Sequence, residues 1–219
     1  MASEPIDWDV IVVGHWNRAI LTPNGIAKRL FKLPEGTGIE VSIPVNLLGP
    51  VQVKHDGVAV RVEAQRIIVA PERPSYDALK KAMATACNAL KNLPETPVFA
   101  AGFNIRFEVR AEGLPLPLDK IGETALDTEL SDAGYEIVSR GLTRRIRLKG
   151  STFEEGVVNL LVLKDETKPV RIELNFHRDS NTVADLVRWL DIPEQDLKEG
   201  VSKILANVPS LGLEEIEDA

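Results

Sequence analysis

Residues 75–94, SYDALKKAMATACNALKNLP, and residues 97–110, PVFAAGFNIRFEVR, decide how the chain is read. In the first stretch Tyr76, Leu79, Met83, Ala86, Leu90 and Leu93 recur at steps of three and four, which is one face of an α-helix. Ser75 is placed to cap that helix and Pro94 to end it. In the second, Phe99, Ala101, Phe103, Ile105, Phe107 and Val109 alternate with Gly102, Asn104, Arg106, Glu108 and Arg110, the period of two of a strand with one covered face. The helix is expected to lie on that face.

Moving towards the N-terminus, residues 67–70 form an apolar run broken by Pro71 and Pro74. Asp56-Gly57, flanked by Val51 and Val53 on one side and Val58, Val60 and Val62 on the other, is the signature of a two-residue hairpin turn. It pairs Val53 with Val60 and Val51 with Val62. Ile39, Val41, Ile43 and Val45 alternate around Pro44, which marks an edge strand. Residues 10–13 are continuously apolar, as in a central strand covered on both faces. Thr22-Pro23 then opens a short helix.

Moving towards the C-terminus, a short helix is expected around residues 119–133, ended by Gly134. Three strand-like runs follow. The phase of the first changes near Gly141, which predicts a bulge, and the third turns Val170, Ile172, Leu174 and Phe176 inward. Thr182 with Asp185 reads as a capping box, and Pro193 opens a last helix carrying Leu197, Val201, Ile204 and Leu205. The expected fold is α+β, an antiparallel or mixed sheet with helices packed on one face, in two similar α+β halves. Residues 1–110 form the first half, 111–134 an acidic connector rich in proline and glycine, 135–208 the second half and 209–219 an acidic tail. The shared tetrapeptides Val60-Arg61-Val62-Glu63 and Val170-Arg171-Ile172-Glu173 suggest the repeat.

The helix of residues 76–93, the strand PVFAAGFNIRF and the later VRIELNFHRD leading into DLVRWL resemble a sporadically distributed, uncharacterised prokaryotic family. Its members share a Tyr-x-x-Leu helix followed by a strand of aromatic and Asn residues. The resemblance implies no established activity.

A net charge of −7 over 219 residues argues against a general grip on nucleic acid or anionic membranes. No apolar run is long enough to span a bilayer, and a single cysteine with no export signal suggests a cytoplasmic protein. His15, His55 and His177 lack the close spacing of metal ligands, so no metal or cofactor is expected. Cys87 shares the apolar stripe of its helix and reads as core. Gly14-His15-Trp16-Asn17, between a strand and a helix, has the layout by which helix N-termini hold phosphates, which makes His15, Trp16 and Asn17 a candidate loop site. Arg140, Arg144, Arg145, Arg147 and Lys149 crowd one strand, and with Arg106 and Arg110 they are candidates for binding an acidic peptide or a phosphate. The alternative for these cations is a solvated face with cross-strand ion pairs.

Two functions follow from these readings. The favoured one is a non-catalytic interaction or assembly protein with a protein partner or self-association. The other is an enzyme or sensor for a phosphorylated small molecule, with Arg106, Arg144 and Arg147 as clamp and His15 or His177 as acid or base. The tail SLGLEEIEDA is expected to pack Leu213 and Ile216 into an apolar groove and to set Glu214, Glu215 and Glu217 near Arg144, Arg145 or Arg147.

Overall fold

The apolar alternations just described become strands of one sheet. The structure is a computed structural model that describes residues 4–44, 50–109, 125–165 and 168–207. In chain order the elements are β1 (Glu4–Gly14), α1 (Pro23–Arg29), β2 (Glu40–Ser42), β3 (Gln52–His55), β4 (Val58–Val62), β5 (Arg66–Pro71), α2 (Tyr76–Asn92), β6 (Val98–Val109), α3 (Ala125–Asp132), β7 (Ser139–Ile146), β8 (Val157–Asp165), β9 (Val170–Asp179), α4 (Val183–Leu190) and α5 (Glu194–Asn207). The nine strands run in the order β2-β3-β4-β5-β1-β6-β9-β8-β7, every neighbouring pair antiparallel.

One face of the sheet carries the core. Trp8, Val10, Val12, Phe103, Ile105, Phe107, Ile172, Leu174 and Phe176 are buried, together with Leu79, Met83 and Leu90 of α2, Leu186 and Leu190 of α4, and Leu197 and Val201 of α5. Residues at even spacing on a strand share a face, so the intervening polar residues go to the opposite face of the sheet. β1 is central, as its apolar run implies, but Ile11 and Val13 on the second face are only half-buried. Phe99 departs from the expected alternation. Val13 pairs with Ala100 and Gly14 with Val98, so Phe99 is the extra residue of a β-bulge and turns outward, 45% exposed.

The halves repeat in register. Val10 pairs with Phe103 at the middle of the β1–β6 ladder. A shift of 93 residues, the separation of those two, carries the pair Asp7–Arg106 onto Ala100–Val13 and Pro5–Phe107 onto Val98–Gly14. The bulged residue Ile6 thereby falls on the bulged residue Phe99. Val69 and Phe176, the outer partners of Val10 and Phe103, are 107 residues apart, and the same spacing relates the N-caps Ser75 and Thr182. The chain therefore holds two β-α-β-meander-α units about a pseudo-twofold axis between β1 and β6. By strand order β6 opens the second unit instead of closing the first. The tetrapeptides that suggested a repeat do not superpose in this scheme, since 60–63 lie on and just after β4 while 170–173 lie on β9, the counterpart of β5.

Two local expectations change and a third holds over its described part. β7 pairs with β8 without a register shift from Ser139 to Ile146, so there is no bulge at Gly141; Tyr135 and Ile137, which set the apparent change of phase, precede the strand. Thr182 makes no side-chain cap, and Asp185 instead accepts from Ser180 Oγ at 3.2 Å and from Arg188 Nη2 at 2.8 Å. The helix placed around 119–133 is α3, followed by Gly134 at φ +86°.

The Asp56-Gly57 turn forms as read, with φ of +48° and +71° and Val53 opposite Val60. A β-branched residue at Gly57 would hold a left-handed backbone at a cost of about 1–2 kcal/mol. Gly57→Val is therefore expected to lower the unfolding free energy by that amount, read as a lower urea midpoint with an unchanged slope. Cys87 packs between α2 and α4 with Sγ 3.7 Å from the Val187 carbonyl, and burial pushes its thiol up from 9.0 to about 11. The native thiol stays neutral where the unfolded one ionises. Its contribution to stability is complete below pH 9 and is lost as pH rises towards 11. Cys87→Ala should cost about 1 kcal/mol at pH 7 and remove this alkaline loss, which urea titrations at pH 7 and pH 10.5 would check.

Candidate functional site

Polar residues sent by strand alternation to the face that no described helix covers meet there across four neighbouring strands of the sheet. Asp9, Asn104, Asn175 and Asn159 lie in one row on β1, β6, β9 and β8, each opposite the next, with Arg145 of β7 opposite Asn159. The row is hydrogen-bonded in one direction. Asn159 Nδ2 donates to Asn175 Oδ1 at 2.7 Å, Asn175 Nδ2 to Asn104 Oδ1 at 2.7 Å, and Asn104 Nδ2 to Asp9 Oδ1 at 2.5 Å. Each amide satisfies its neighbour, and Asp9 is the terminal acceptor.

The next row holds Asp7, Arg106 and Glu173. Arg106 Nη1 donates to Asp7 Oδ2 at 2.8 Å and to Asp9 Oδ2 at 2.9 Å, and Nε donates to Glu173 Oε2 at 3.0 Å. Partial burial acts to lower the guanidinium's pKa. The hydrogen bond and charge of Asp9, and then those of Glu173, outweigh it and hold Arg106 above its ordinary value. Arg106 is thus committed to three carboxylates and has little left for an incoming anion.

The expected arginine clamp is not assembled. Arg144 lies opposite Leu160, which lies opposite Leu174, which lies opposite Ile105, so Arg144 belongs to the helix-bearing face. Arg106 belongs to the other face, two intervening strands away. Arg140 also takes the helix side and gives Nε to Asp127 Oδ2 of α3 at 2.7 Å. Arg145 is on the open face, Arg147 is exposed just beyond β7, and Arg110 lies outside the described residues.

The histidines stand apart from these cations. His15 adjoins Gly14, which pairs with Val98, eight residues from Arg106 along β6, or roughly 26 Å. His177 is opposite Gly102 and lies 2.8 Å from Asp179, and His55 is half-buried beside Phe31. In the loop site, Trp16 is buried with Nε1 on the Val12 carbonyl at 3.1 Å, and Asn17 Oδ1 accepts from Ala19 N at 3.0 Å. These contacts hold the loop in place. Among the described residues no group of three or more His, Cys, Asp or Glu is set to hold a metal ion, and no helix is long and apolar enough to cross a membrane.

A second surface lies at the end of the sheet. β7 is an edge strand of eight residues, whereas the opposite edge, β2, has three. Beside β7 the side chains of Leu126, Tyr135 and Val138 are exposed by 57%, 66% and 61%. Neither Arg145 nor Arg147 has a carboxylate partner among the described residues, while Arg144 Nη1 turns back to the Thr143 carbonyl at 2.8 Å. Sequence reading found these cations and missed Asp7, Asp9, Asn175 and Asn159, whose partners lie on distant strands. The sequence matches no family model, and it matches no curated protein.

Proposed function

We propose that the protein is a non-catalytic interaction protein that accepts a strand of a partner protein along the outer edge of β7. The observation that carries this reading is that edge: eight residues of main chain unpaired on one side among the described residues, cationic, and flanked by exposed Leu126, Tyr135 and Val138. An open strand edge offers main-chain donors and acceptors in register, and added strands gain specificity from side chains that alternate between the two faces. Here Arg144 offers charge on the helix side and Arg145 on the open side. A second copy of β7 would bring the same cations together, so the fitting segment is acidic and extended.

The test is selection of displayed ten-residue peptides on the full-length protein. Enriched sequences should be acidic with alternating apolar residues. Arg144→Glu/Arg145→Glu should weaken their binding about 10–100-fold, as reversal of two interfacial charges does. Selection of no peptides, or of peptides indifferent to that variant, would overturn the reading.

A further inference from the structure

The side chains of β7 are sorted along its length. Leu142, Arg144 and Ile146 take the helix side, while Gly141, Thr143 and Arg145 take the open side, a row that Arg147 continues just beyond the strand. At the N-terminal end the charge is already matched, because Arg140 gives Nε to Asp127 at 2.7 Å. At the C-terminal end Arg145 and Arg147 have no carboxylate partner among the described residues, and Arg144 turns to the Thr143 carbonyl. The tail residues expected beside these cations, Leu213 to Glu217, lie outside the described residues.

Next to Arg140 lies a notch. Gly141 stands opposite Leu163, which is 37% exposed, and an added Cβ at Gly141 would touch Leu163 Cδ2 at 3.1 Å. The glycine leaves that leucine bare beside the sheet edge, where an aromatic side chain on an added strand can cover both.

The repeat shows how such an edge is met. Sheet pairing carries Val69 onto Phe176, Val60 onto Val158 and Val53 onto Ile146, so Val53 and Lys54 of β3 correspond to Ile146 and Arg147. In the first unit β2 lies antiparallel there, with Val41 opposite Val53 and Glu40 opposite Lys54, whose ammonium is 3.6 Å from the carboxylate. Acid faces cation and apolar faces apolar.

We propose that the segment accepted by β7 is an antiparallel strand of a partner protein that begins acidic and ends aromatic. In its own chain order it places an acid opposite Arg147, an apolar residue opposite Ile146, acids opposite Arg145 and Arg144, any residue opposite Thr143, an apolar residue opposite Leu142 and an aromatic one opposite Gly141. This deepens the reading that the β7 edge takes a partner strand, and rests on it. The direction follows from the sheet, whose neighbouring strands are all antiparallel, the more stable pairing per residue. The order follows from the edge, which is cationic at its C-terminal end and notched near its N-terminal end. The two apolar residues of the partner extend the row of Leu142 and Ile146, both packed against the core.

The probe is the peptide Glu-Val-Glu-Glu-Thr-Leu-Phe, capped at both ends and titrated against the full-length protein, with the reversed sequence as control. The peptide should bind about tenfold tighter than its reverse, or better. Lysine in place of its first glutamate should weaken binding about tenfold, and Arg147→Glu should restore it where Arg145→Glu does not. Alanine in place of the phenylalanine should weaken binding about fivefold on the parent and roughly twofold or less on Gly141→Thr, whose side chain already covers Leu163. Equal binding of the peptide and its reverse, rescue by Arg145→Glu in place of Arg147→Glu, or the same loss from alanine on both proteins would overturn the inference. If displayed peptides of another pattern are enriched and lose affinity in Arg144→Glu/Arg145→Glu while these titrations fail, the inference falls and the partner edge stands. If no peptide of either kind binds, both fall.

Discussion

Arg106→Met is expected to destabilise the protein by about 3 kcal/mol, read as a lower urea midpoint with an unchanged slope. The substitution keeps the bulk and removes the only cation among the described residues that is hydrogen-bonded to Asp7, Asp9 and Glu173, of which Asp9 is only 13% exposed. Removing one partner of a buried ion pair costs about 3–5 kcal/mol, chiefly because the remaining charge is left uncompensated. With Arg106 itself 20% exposed, the lower end applies. Arg106→Lys should recover only part of the loss, since an ammonium cannot reproduce bonds from Nε and Nη1 in two directions. Equal stabilities of the parent and Arg106→Met would show that the three carboxylates are solvated well enough to need no partner.

Phe153→Ala should cost about 3–5 kcal/mol, equivalent to a fall in Tm of roughly 6–20 °C for a chain of this size. Phe153 sits in the turn between β7 and β8 and reaches into the core, with ring centroids 4.8 Å from Phe176, 5.8 Å from Trp189 and 6.3 Å from Phe103. It is 1% exposed. Gly200 of α5 lies against it so closely that an added Cβ would stand 2.4 Å from the ring. Gly200→Ala should therefore also destabilise, by overpacking. Combined with Phe153→Leu it should cost less than the two single changes together, because the smaller side chain makes room for the methyl group. Strict additivity in calorimetry would mean that helix and turn do not share this contact.

What could be read in advance was whatever one strand or helix states by itself. The Asp56-Gly57 hairpin, the stripe of α2, the inward set of β9 and the apolar face of α5 each follow from local spacing, and each is present. The polar row was not legible because its members are far apart in sequence. Asn104 and Asn175 look like solvent-facing residues until register places them opposite one another. Asp7 and Asp9 were missed because the apolar run begins at Val10, although Trp8 between them already alternates with them. The repeat was visible as an idea and misplaced in its residues, because register and cap positions relate the halves while the tetrapeptides do not. The arginines were found as a group, and only pairing showed that Arg144 and Arg106 point to opposite faces.

The central place of β1 has a consequence for how the protein is made. Of the nine described strands β1 leaves the ribosome first, yet its two neighbours are β5, about fifty residues later, and β6, more than eighty later. At about 5–20 residues per second the apolar strand waits several seconds for its first partner and longer for its second. Until β5 arrives both its edges are open, and until β6 arrives one of them still is, a condition that favours pairing with other chains. A sheet built outward from the first-made of its described strands should therefore depend on cellular holding factors during synthesis more than its final stability would suggest. Slowing translation across residues 15–65 should raise the insoluble fraction, whereas slowing it after residue 109 should have little effect.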